Sequence, residues 1–162
     1  MAEQPDVPVQ TSLVDRLIDL QPDSRHEAAI TARQSVGQLR SAVRRDLEAL
    51  LNTRAHHRSW SEALGEIGHS IVAYGLPERN AAGIAGENWR ERLRAAIEDT
   101  VRTFEPRLTA IAVTIVDNAP GATDRSIRFR IEATIQLSPA PEPVTYDSQF
   151  DPATNVVLVA DR

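Results

Sequence analysis

Apolar residues recur at helical spacing over two long stretches and then switch to strict alternation, and that switch divides the chain. Val36, Leu39, Val43, Leu47, Leu50 and Leu51 form a stripe that predicts a helix from about Thr31 to Leu51. The opposite face carries Arg40, Arg44, Arg45, Asp46 and Glu48. Asn52 with Thr53 reads as the C-terminal stop, and Arg54 sits just beyond, where a cation favours the negative helix end. Leu93, Ile97, Val101 and Phe104 predict a second long helix from about Glu87 to Phe104, with Arg90, Arg94, Glu98 and Arg102 outside its stripe. Two shorter helices are expected. One is capped by Ser12 and runs from Leu13 to Asp19, with Leu13, Leu17 and Leu20 as its apolar stripe; the other runs around Ala63 to Tyr74 and is stopped by Gly75-Leu76-Pro77.

Beyond Phe104 the period becomes two. Ile111, Val113 and Ile115 alternate with Ala112 and Thr114, and Ile127, Phe129, Ile131, Ala133, Ile135 and Leu137 alternate with Arg128, Arg130, Glu132, Thr134 and Gln136. Asp117 to Asp124, with Pro120-Gly121, reads as the hairpin loop between these strands, and Ser138 to Pro143 reads as a turn. Val144 to Phe150 and Asn155 to Ala160 are the last two strands, joined by Asp151-Pro152-Ala153-Thr154. Helices first and an antiparallel sheet of about four strands last define an α+β fold. Residues 1–11 are expected to form a disordered tail and residues 12–162 a single domain.

Composition narrows the function. Only 4% of residues are aromatic, so the core must be aliphatic, and there is no cysteine for disulfide or thiolate chemistry. The N-terminus lacks the basic, apolar and small-residue progression of a secretory signal, and no apolar run approaches a membrane span. These features point to a soluble cytoplasmic protein without membrane insertion. Net charge is −5, and all 18 basic residues are arginines, whose planar forks suit pairing with carboxylates. An acidic chain with no Gly-rich phosphate loop or basic-aromatic platform makes a poor nucleic-acid binder, so no nucleic acid is expected and protein partners are favoured.

Catalytic patterns are weak. His56-His57, even with His26 and His69, lack a carboxylate or thiolate at ligand spacing, so no metal or cofactor is expected. Glu62, Glu66, Glu87, Glu91 and Glu105 offer acids for glycoside hydrolysis, but no aromatic stacking set accompanies them beyond Trp60 and Trp89. Ser70 beside His69 makes no triad. No catalytic residue is assigned.

The stretch Thr103-Phe104-Glu105-Pro106-Arg107-Leu108 lies at the change of period. Proline cannot continue the helix and restricts the residue before it, so Glu105 and Arg107 sit on a stiff corner. Such a corner serves either an internal ion pair that fixes the turn or a docking point for another protein. Arg44, Arg45, Arg54, Arg128 and Arg130 are further candidates for partner binding. An edge strand near the C-terminus is open to β-augmentation, whereas Asp151-Pro152 and the charged terminus equally suit edge protection.

Several segments, in order, carry a family resemblance. They are Ser12-Leu13-Val14-Asp15-Arg16-Leu17, the run Ser41 to Arg54 ending in Asn52-Thr53-Arg54, Tyr74-Gly75-Leu76-Pro77, Phe104-Glu105-Pro106-Arg107-Leu108 and Tyr146-Asp147-Ser148. Together, from about Ser12 to Val159, they resemble the TssE family of type VI secretion baseplate subunits, which also contains the small wedge protein of contractile phage tails. The resemblance implies a non-enzymatic subunit at the cytoplasmic face of the inner membrane. It implies that this subunit joins TssF and TssG, with TssK as a further partner, and offers a platform for assembly of the TssB and TssC sheath. It places wedge interaction on Glu105, Pro106 and Arg107. It also places a sheath strand contact on Val156, Val157, Leu158 and Val159. The family's "lysozyme-like" label leaves a peptidoglycan hydrolase as one alternative. A regulatory anti-adaptor is another, because a stress anti-adaptor shares the fold.

Overall fold

The computed structural model describes residues 32–55, 61–77, 88–116, 126–137 and 140–162, together with Leu17. The expected helix at 13–19, the paired histidines at 56–57, the loop at 78–86 and the hairpin loop at 117–124 lie outside the described residues, apart from Leu17 itself. Helix α1 spans Ala32–Asn52 and helix α2 spans Trp89–Phe104. Four strands follow: β1 (Leu108–Val116), β2 (Ile127–Ile135), β3 (Glu142–Asp151) and β4 (Val156–Asp161). They form one antiparallel sheet in the order β1-β2-β3-β4, so each strand pairs with its neighbour in sequence. This is the α+β architecture expected from the change of period.

The helices lie on one face of the sheet, α1 against β4 and α2 against β1, and they also touch each other. Leu39, Val43, Leu47 and Leu51 repeat at i, i+4 along α1 and are buried, as are Ile97 and Val101 of α2. From the sheet they meet Val113, Phe129, Ile131, Ile135, Val144, Tyr146, Phe150, Val157 and Val159. Tyr146 is fully buried, and its hydroxyl donates to the Arg40 carbonyl at 3.3 Å. That bond satisfies a polar group that would otherwise be costly in an aliphatic core.

Three departures from the sequence reading have physical causes. The expected helix at 63–74 is two tighter 3₁₀ segments, Glu62–His69 and Ile71–Ala73. Ser70 breaks them apart: its backbone is extended (φ −94°, ψ 167°), its hydroxyl donates to Ile67 C=O, and the same oxygen accepts from Val72 N–H. Gly65 and Gly68 weaken α-helical propensity in the same stretch. Pro143 belongs to β3 rather than to the preceding turn, opposite Thr134. β4 pairs with β3 only from Tyr146 onward, so Pro143 lies where β3 is still a local edge and its missing N–H is not required. In β1 the register slips between Thr109 and Ala112, where Ala110 takes a left-handed conformation (φ 49°).

Gly75 ties the end of α1 to the later chain. Its φ is +112°, and a Cβ there would lie 2.5 Å from the Thr53 carbonyl oxygen. This close approach lets Leu76 N–H donate to Thr53 C=O and Ala55 N–H donate to Leu76 C=O, both at 2.9 Å. Leu76 is thereby delivered into the core.

Candidate functional site: the acid-proline-arginine corner and the β4 edge

Glu105 terminates α2. Its N–H still donates to Val101 C=O at 2.9 Å, but its backbone (φ −119°, ψ 77°) has left the helix, as the following proline demands. Leu108 N–H then donates to Glu105 C=O at 3.1 Å and starts β1, where Leu108 is buried. Two core elements therefore clamp the corner from both sides.

The Glu105 side chain is only 5% exposed, and the Arg107 side chain 26%. The guanidinium grips the carboxylate through two bonds: Nε to Oε1 at 2.6 Å, and Nη2 to Oε2. Nη2 also donates to Oδ2 of Asp46 at 2.6 Å, which reaches the corner from α1. The other Asp46 oxygen, Oδ1, accepts from Arg45 Nη2 at 3.2 Å. The result is a chain of charge, Arg45–Asp46–Arg107–Glu105, that links α1 to the α2–β1 turn. The bonds to Glu105, then those to Asp46, hold the Arg107 pKa well above that of a free arginine despite desolvation. Pro106 is exposed at the apex.

Tyr74 borders this corner and stacks edge-on against Phe104, with centroids 5.3 Å apart. Burial, and then the charges of Asp46 and Glu105, push its phenol pKa up. Sequence periodicity assigned Asp46 to the outer face of α1 and gave no sign of a partner 61 residues away. Its role as third member of the corner emerges only from the fold.

The candidate arginines do not form one patch. Arg44 donates to Glu48 Oε2 at 3.3 Å and to Val159 C=O at 3.2 Å, so it turns toward β4. Arg45 turns to Asp46, and Arg40 lies 3.9 Å from Glu142. Arg54 is exposed beyond the helix end. On the outer sheet face Arg130 pairs with Asp147, its direct cross-strand neighbour, at 2.7 Å. That bond lowers the Asp147 pKa and raises that of Arg130. Arg128 is exposed on the same face.

At the candidate strand contact, Val157 and Val159 point into the core, while Val156 and Leu158 are exposed on the outer face. The backbone edge of β4 that faces away from β3 is already occupied. Asn52 Nδ2 donates to Val157 C=O and Asn52 Oδ1 accepts from Val157 N–H, both at 2.8 Å. Glu48 Oε2 accepts from Val159 N–H at 3.3 Å, opposite the Arg44 bond to Val159 C=O.

Of the acids considered for hydrolysis, Glu91 is held by Arg94 at 2.7 Å and Glu105 by Arg107. Glu66 is exposed, whereas Glu87 and the Glu62 side chain lie outside the described residues. No group of three or more His, Cys, Asp or Glu side chains among the described residues is placed to hold a metal ion. No helix among them is long and apolar enough to cross a membrane.

The family described as baseplate wedge protein gp25 matches residues 37–140, and the chain belongs to that family. A solved chain titled "The baseplate complex from the type VI secretion system" is similar at 19% identity and a TM-score of 0.47, over 71% of this chain and 96% of that one. No curated protein matches.

Proposed function

We propose that the protein is the small wedge subunit of a type VI secretion baseplate, a non-enzymatic part at the cytoplasmic face of the inner membrane. In this reading it joins TssF and TssG, lies near TssK, and offers the surface on which the TssB–TssC sheath begins. Membership of the baseplate wedge family, over a match that takes in most of α1 and the Glu105-Pro106-Arg107 corner, is the observation that carries it. The choice of a type VI system over a phage tail rests on the ordered sequence motifs from Ser12 to Ser148.

The corner suits docking because it is rigid before any partner arrives. A preorganised site loses little entropy on binding. Pro106 is exposed, and Nη1 of Arg107 takes no part in the bonds to Glu105 and Asp46, which leaves its donors for a partner's carbonyl or carboxylate. Glu105 orients that guanidinium from below.

The internal pairing dictates the form of the test. Arg107→Ala strands a buried carboxylate and confounds folding with binding. The double variant Glu105→Met/Arg107→Met removes both charges while keeping apolar volume. Co-expression with TssF and TssG followed by size-exclusion chromatography should show wild type co-eluting and the folded double variant failing to do so. Co-elution of both would move the interface away from the corner. If neither co-elutes, the baseplate assignment itself fails.

A further inference from the structure

The side chains that occupy the β4 edge follow a rule. Arg44, Glu48 and Asn52 stand at i, i+4 and i+8, on one face of α1. Four helical residues rise about 6.0 Å and two strand residues about 6.8 Å, so one turn of helix nearly matches one repeat of a strand edge. Asn52 meets Val157, and Glu48 with Arg44 meets Val159, so α1 runs antiparallel to β4. Each rung supplies one donor and one acceptor to the N–H and C=O of a single residue. The Asn52 amide does this with the same two groups that a peptide would offer.

We propose that α1 serves as a surrogate fifth strand that closes the β4 edge, and that another strand pairs there only by displacing Asn52, Glu48 and Arg44. An exposed edge strand invites pairing with any extended chain, and a helix laid over it is one known protection. Here the protection is made of side chains rather than of buried apolar contact. Asn52 is exposed and the Glu48 and Arg44 side chains are each about one-third exposed. Such rungs can rotate away while Leu47 and Leu51 keep the helix docked in the core. The closure is reversible for that reason. It is also independent of the baseplate assignment, since ladder and strand belong to the same chain.

The test compares wild type with Asn52→Ala by amide hydrogen exchange and sedimentation. Because Val157 bonds outward, the neighbouring Leu158 amide faces β3 and serves as an internal control. In the variant the Val157 amide should exchange about ten-fold faster, the effect of losing one net hydrogen bond, with Leu158 unchanged. The variant should also self-associate with concentration through its opened edge, while wild type stays monomeric under the same conditions. An unchanged Val157 amide would overturn the proposal, and so would fast exchange in a variant that remains monomeric. If Asn52→Ala fails to fold, Asn52→Asp replaces it: the acceptor for Val157 N–H is kept and the donor to Val157 C=O is lost. That variant should keep Val157 protected and stay monomeric, and an Asn52→Asp protein that self-associates while its Val157 amide remains protected would count against edge closure.

Discussion

Replacing Arg107 by methionine isolates what the corner contributes to the fold. Its two carboxylate partners differ sharply in environment: the Glu105 side chain is 5% exposed and that of Asp46 36%. Removing one member of a buried pair typically costs about 3–5 kcal/mol, because the other charge is left without compensation. The guanidinium is a quarter exposed, so water recovers part of this, and about 3 kcal/mol is expected for Arg107→Met. That is a large fraction of the roughly 5–15 kcal/mol of a whole domain. Asp46→Ala loses only the more exposed arm and should cost about 1 kcal/mol or less. Methionine at both 105 and 107 should restore most of the loss, since an ion pair replaced by apolar groups of similar volume is often neutral. Urea unfolding followed by circular dichroism reads all four proteins, with stability taken from the midpoint at a common slope. Equal small losses for Arg107→Met and Asp46→Ala would refute the clamp, as would a double variant less stable than the single one.

Three further outcomes follow from the same structure. Gly75→Ala should cost about 2 kcal/mol or more in urea unfolding, because a Cβ at φ +112° meets the Thr53 carbonyl and breaks the Thr53–Leu76 bridge. Tyr146→Phe should cost about 1 kcal/mol at neutral pH through the lost bond to Arg40 C=O. Burial of Tyr146 raises its folded pKa, so its contribution is complete below the unfolded value of about 10 and is lost as pH climbs beyond it. Wild type should therefore lose stability above that pH more steeply than Tyr146→Phe, and parallel pH profiles for the two would contradict this. At the acid end, Asp147 has a lowered folded pKa, so the support it gives is present above the unfolded value and fades as pH falls. Asp147→Asn should accordingly flatten the acid limb slightly, as followed by thermal melts across pH.

Much of this architecture can be read from periodicity, and what escapes has either a local or a long-range cause. Leu39, Val43, Leu47 and Leu51 announce α1, and the alternation from Ile127 to Ile135 announces a strand with one buried face, because burial imposes its period on the residues. The 3₁₀ segments at 62–73 escape because serine capping and two glycines decide them locally, against an apolar pattern that suits a full helix. Pro143 reads as a turn residue because its tolerance within a strand depends on where β4 begins to pair, which is a fact about another strand. The corner itself was legible as a rigid acid-proline-arginine turn, yet Asp46 was not. Nor was the ladder of Arg44, Glu48 and Asn52. Polar residues on a helix look solvated in sequence whether they meet water or a strand more than a hundred residues away.

The central claim, a wedge subunit whose exposed corner meets its baseplate partners, is tested most directly by a photoreactive residue placed at Pro106 in cells that assemble the secretion system. The helix-end bond of Glu105 and the grip of Arg107 should hold the turn without the proline ring. The account predicts a light-dependent crosslink to TssF or TssG. A protein that is incorporated into baseplates yet crosslinks to neither from position 106, while reacting from another exposed position, would contradict it.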